Sequence, residues 1–165
     1  MKSKRVSRRS GGAASVGRSL ARTLDFECIR SASLPHNEVV RNFRKVEKYY
    51  LQELKGNAEL ALETRRRVAE HLLDQAILHG CAQRVCNSRL KAAARLGFTT
   101  IEREAHFRLL YARGALARGH ERIARKTSTE MVGKLERSLT RRKNLLAKKC
   151  LMQFQEFLRH LELQS

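Results

Sequence analysis

The chain has 165 residues and carries 35 Lys and Arg against 16 Asp and Glu, a formal net charge of +19. Apolar residues make up 42 % of it, enough for a core, so it is not simply a disordered polycation. No run reaches ~18 apolar residues, which excludes a transmembrane span, and the charge makes polyanions the natural partners.

Residues 1–32 read as a basic, disordered tail. Lys2, Lys4, Arg5, Arg8, Arg9, Arg18, Arg22 and Arg30 face only Asp25 and Glu27, and Ser and Gly fill most of the gaps. Such a stretch buries too little apolar surface to offset the entropy of ordering. It has room for one short amphipathic helix, about Val16–Leu24. The start is also Arg-rich, Ser-rich and acid-free, the composition of a mitochondrial presequence as well as of a nucleic-acid-binding arm. Gly12 to Ser19 nearly fits a phosphate-binding loop, with Arg18 where Lys belongs. Charged residues precede it instead of a buried strand, and no Asp-tipped apolar strand follows, so that reading is rejected.

Residues 33–165 read as one helical domain. Ser33 and Pro35 open a helix of about Leu34–Lys55, whose Val39, Phe43, Val46, Tyr50 and Leu54 form one stripe. Gly56 ends it, Asn57 starts the next, and that helix runs to about His79. A third covers about Cys81–Leu96. Thr99 and Glu102 have capping-box spacing and open a fourth, which extends through Leu116. Thr127 and Glu130 repeat that spacing before a long last helix to about Leu163. No strand alternation occurs. The expected fold is all-α: a bundle of four to five helices with a long C-terminal helix and a disordered basic N-terminal tail.

On the last helix, Lys134, Arg137, Arg141 and Lys148 lie opposite an apolar stripe, and no acid occurs between Glu136 and Glu156. From Lys134 to Lys148 this ridge spans ~21 Å at the helical rise. Arg142 and Lys143 add to it. Ordinary surface helices intersperse both signs, because like charges at i,i+4 repel. A second acid-free block, Gln75 to Ile101, carries Arg84, Arg89, Lys91 and Arg95. These residues, with Arg5, Arg8 and Arg9 of the tail, are the candidate phosphate contacts.

Lys91 to Phe98 also matches the first half of a helix-turn-helix, so a DNA-binding regulator built on residues 84–110 is an alternative. Its second half fails, because Arg103 stands where an inward apolar residue belongs. Base stacking looks poor, since only Tyr49, Phe107 and Tyr111 are left for the periphery.

Cys81 and Cys86 lack zinc-pair spacing, and no second pair appears near His79, so no metal and no cofactor are expected. The six histidines are scattered, without a catalytic motif, so no enzymatic activity is expected. No secretory signal is visible, which makes the expected location intracellular, the cytoplasm first and the mitochondrion second. The expected function is non-enzymatic binding of nucleic acid, RNA or a ribonucleoprotein ahead of DNA, by phosphate neutralisation. The rival is an assembly or adaptor protein whose C-terminal helix pairs with a partner or with itself. Its stripe is interrupted by Arg142 and Lys143, which argues against a continuous coiled-coil seam. A third option, peripheral attachment to anionic lipid, would need an apolar face that the core consumes.

Overall fold

A computed structural model describes residues 10–141 and 144–163. Among them are seven helices and no strand: α1 (Ser10–Ser31), α2 (His36–Glu53), α3 (Ala58–Leu78), α4 (Gln83–Leu96), α5 (Ile101–Ala117), α6 (Glu121–Arg141) and α7 (Leu145–Leu163). The chain is all-helical, but the expected count of four to five helices is too low.

The first difference lies at the N-terminus. The segment expected to be a tail forms α1, and Leu20 and Leu24 are 2 % and 0 % exposed. Val16, Leu20, Leu24 and Cys28 recur every four residues and pack with Val39, Phe43 and Leu72 of α2 and α3. Ser19 and Thr23 add hydroxyl contacts of 2.9 Å to the Tyr50 hydroxyl. Composition argued against order here, yet one apolar residue per turn is enough when a neighbouring pair of helices already offers a core. Residues 1–9 of the expected tail lie outside the described residues.

The second difference is at the C-terminal end. The expected long last helix is two helices, α6 ending at Arg141 and α7 starting at Leu145. Asn144 Oδ1 accepts from the backbone N–H groups of Leu146 and Ala147 at 3.0 and 3.2 Å, capping α7. Its amide also donates to Glu102. Folding back lets Phe154, Phe157 and Leu161 of α7 share one core with Ala105 and Leu109 of α5 and Met131 and Leu135 of α6. A single straight helix would carry those side chains past the end of the bundle. The α6 start is earlier than expected. Gly119 takes φ +77°, the left-handed conformation that ends a helix, and Thr127 is buried within α6 instead of capping it.

Consecutive helices run antiparallel, as their cross-contacts show. His36 at the start of α2 lies 6.3 Å from His79, which follows α3. Arg66 Nε of α3 donates to the Leu96 carbonyl at the end of α4 at 2.8 Å. Lys134 late in α6 reaches Glu104 early in α5 at 2.7 Å. Arg125 early in α6 donates to the Leu161 carbonyl late in α7 at 3.2 Å. Two main cores result, α1–α2–α3 and α5–α6–α7. A smaller cluster of Ala76, Cys86 and Tyr111 joins them through α4.

Candidate nucleic-acid interface

The break at Asn144 divides the expected ridge. Arg137 and Arg141 are exposed on α6, whereas Lys148 is exposed on the first turn of α7, a different helix. Arg142 and Lys143 lie outside the described residues, as do Arg5, Arg8 and Arg9.

Glu130 and Glu136 lie near Lys134 in sequence, but its partner comes from tertiary packing. Lys134 Nζ lies 2.7 Å from Glu104 Oε1 on α5, and Arg108 Nε reaches the same oxygen at 2.7 Å. Burial works against the Glu104 charge, but hydrogen bonds from Lys134 and Arg108 hold its carboxyl below the usual value. Arg108 also faces Glu130 at 3.9 Å, and Lys126 faces it at 4.0 Å. A chain of alternating charge therefore runs Lys134–Glu104–Arg108–Glu130–Lys126 across α5 and α6. Three cations share two carboxylates, so most of the charge expected at Lys134 is cancelled locally.

The second expected block resolves more sharply. At about 100° per residue, Arg84, Lys91 and Arg95 fall within about 40° of one another on α4. All three are exposed, and none pairs with a carboxylate among the described residues. No acid occurs anywhere in α4. Arg89 is about 140° from Arg84 and lies on another side. It is half-buried near His36, Arg44 and Cys81, and its Nε has no hydrogen-bond partner among the described residues. Burial, then the Arg44 charge, push its pKa down. Arg89 is thus separated from the other three.

Beside the α4 ridge lies a groove of about 380 Å³ between α4, α5 and α6. Lys91 and Lys126 stand on it with Arg108 and Glu130, and Leu90, Tyr111 and Ile123 contribute apolar lining. Tyr111 donates to Asn87, and Asn87 also accepts from Gln83 at 2.8 Å, so the polar part of the groove is tied to α4. Neither Lys126 nor Arg108 was among the expected phosphate contacts. Only folding brings them beside Lys91, and Glu121 and Glu130 near Lys126 masked it in the linear pattern.

Arg103 does not supply the inward apolar residue that the second half of a helix-turn-helix needs. Arg103 does not turn inward: its Nε donates to Glu70 on α3 at 2.5 Å and its guanidinium lies over Phe107. α5 packs against α3, α4, α6 and α7, so it is a central helix and not a projecting reader. Of the three aromatics left for the periphery, Phe107 and Tyr111 are buried and only Tyr49 is exposed. Among the described residues no three His, Cys, Asp or Glu side chains converge as metal ligands, and no helix is long and apolar enough to cross a membrane.

No protein-family model matches this chain, and neither do curated proteins or solved structures.

Proposed function

We propose that this chain binds nucleic acid by phosphate neutralisation and has no catalytic role of its own. The observation that carries the reading is the α4 ridge: Arg84, Lys91 and Arg95 share one exposed face of a helix without acid, and no described carboxylate pairs with them. From Arg84 to Arg95 the ridge is ~16 Å long, enough to follow several phosphates of one strand. Lys126 stands across the groove, 4.0 Å from Glu130. Arg137, Arg141 and Lys148 form a second cationic region at the α6–α7 end, next in sequence to Arg142 and Lys143. Arg5, Arg8 and Arg9 would add contacts from the N-terminus.

RNA or a ribonucleoprotein is favoured over DNA. Among the described residues α5 is packed against four other helices, and buried Phe107 and Tyr111 leave little for base stacking, so binding rests on phosphate and shape. The protein purified without nuclease should carry ultraviolet-absorbing material that ribonuclease removes. Nuclease-insensitive absorbance at the protein value, with no retention of added RNA at low salt, would overturn the proposal.

A second reading has its own observation. Leu145, Met152 and Leu163 are 69 %, 60 % and 79 % exposed and lie on one face of α7. Such a stripe favours helical assembly, and concentration-dependent sedimentation lost in Leu145→Ser/Met152→Ser tests it.

A further inference from the structure

The groove between α1 and α3 has the opposite character to the α4 surface. Asp25 and Ile29 of α1 face His71, Asp74 and Leu78 of α3 across a cavity of about 460 Å³. Ile29 and Leu78 are 77 % and 70 % exposed, and Phe26, 62 % exposed, flanks them on α1. No Lys or Arg lines this groove. Asp25 and Asp74 have no ion pair among the described residues, although the chain carries a net +19.

The cations nearest the groove are Arg67, Arg103 and Arg22, none of them among its lining residues. Arg67, one turn before His71, is held by Glu63 at 2.9 Å, and Arg103 is held by Glu70. Arg22, one turn before Asp25, is the cation at the groove's end and makes no described ion pair. His71 is half-buried against Cys28, with Nδ1 3.4 Å from the Cys28 sulfur. Burial pushes the His71 pKa down although Asp25 and Asp74 oppose it. The Cys28 thiol is pushed up to about 11 by burial, then by Asp74 and Asp25.

We propose that the α1–α3 groove docks a basic amphipathic helix of a partner protein, its apolar side chains meeting Ile29, Leu78 and Phe26 and its Lys or Arg residues meeting Asp25 and Asp74. Charge complementarity selects this occupant. A chain of net +19 repels basic peptides over most of its surface, and a pair of carboxylates with no Lys or Arg among the lining residues weakens that repulsion where exposed apolar side chains also offer contact area. The occupant fits a helix-in-groove mode, with anchors at i and i+4. The groove shares no residue with the α4 ridge, so a basic protein and a polyanion can be held together.

The test uses the nuclease-treated full chain and a labelled synthetic helical peptide of about five turns, with a Leu stripe flanked by Lys. A twin peptide carries Glu in place of Lys. Fluorescence anisotropy near physiological salt should show binding of the Lys peptide, and Asp25→Asn/Asp74→Asn should weaken it about tenfold or more. Ile29→Ser/Leu78→Ser should abolish it, with circular dichroism unchanged because both side chains are exposed. The same Asp replacements should leave binding of the Glu twin equal or stronger. No binding of the Lys peptide, or binding indifferent to the Asp replacements, would overturn the proposal. So would a dimer of the free chain that Ile29→Ser/Leu78→Ser dissolves, because a second copy would then fill the groove.

Discussion

Lys134 Nζ and Glu104 Oε1 lie 2.7 Å apart, joining the C-terminal half of α6 to the first turn of α5. This one ion pair changes how the charge of the chain is distributed. Lys134, with Glu130 and Glu136 near it in sequence, is neutralised instead by an acid thirty positions away. The cations left without a described partner are on α4, on the outer end of the α6–α7 hairpin and on scattered surface positions.

A contrast between two substitutions follows from that pair. Lys134→Gln alone should leave nucleic-acid affinity and its salt slope nearly unchanged, since its charge is already matched. Glu104→Gln frees Lys134 and leaves Arg108 only Glu130 at 3.9 Å, so the magnitude of the log–log salt slope should rise by up to ~0.9 for each further phosphate they neutralise. Filter binding of an RNA oligomer across a salt series reads both. The stability cost of Lys134→Gln should stay below ~1 kcal/mol, because the Lys side chain is 44 % exposed and Arg108 still holds Glu104.

The order of α1 can be checked by Leu24→Ala. Leu24 is fully buried with Val39, Phe43 and Leu72, so its truncation should cost ~2–4 kcal/mol in urea or thermal melts. A disordered N-terminal tail would give no change. Limited proteolysis of the free protein should spare Leu20 to Ser31 for the same reason.

Glu70 gives a pH dependence of definite sign. The residue is 2 % exposed, its Oε1 has no partner among the described residues, and Arg103 holds its other oxygen. Burial raises its pKa above the ordinary 4.5, and the Arg103 hydrogen bond and charge only partly oppose this. A carboxyl whose folded pKa is raised favours the folded state while protonated. That contribution is fully present below 4.5 and is lost as pH rises through the folded value. Urea melts from acid to neutral pH should therefore show Glu70→Gln gaining stability relative to the parent as pH rises. Arg103→Ala, which leaves a buried carboxylate unpaired, should cost ~3 kcal/mol at pH 7.

The helical periodicity made most of the bundle legible. The stripe Val39, Phe43, Val46, Tyr50 is buried in α2, Asn57 accepts from the Leu60 N–H at the start of α3, and Gly97 closes α4 with φ +75°. Two elements escaped. α1 has one apolar residue per turn among charges, a signal too sparse to outweigh its composition until α2 and α3 supply a surface. The break at Asn144 has no Gly or Pro to mark it, and Leu139 and Leu146 keep the periodicity running through it. The site was half legible. Arg84, Lys91 and Arg95 share a face that spacing alone gives. Arg89 was grouped with them by neighbourhood in sequence, and the Lys134–Glu104 pairing has no local signature at all.

Phosphate binding by α4 is tested most directly by comparing the parent with Arg84→Gln/Lys91→Gln/Arg95→Gln in RNA binding over a salt series. Gln keeps the helix and the side chains are exposed, so the fold should be unchanged by circular dichroism. The triple variant should bind every RNA sequence tried more weakly. Its salt slope should be smaller in magnitude by up to ~2–3 units, at ~0.7–0.9 for each phosphate no longer neutralised. Unchanged affinity and unchanged slope in the triple variant would contradict the assignment of phosphate binding to α4.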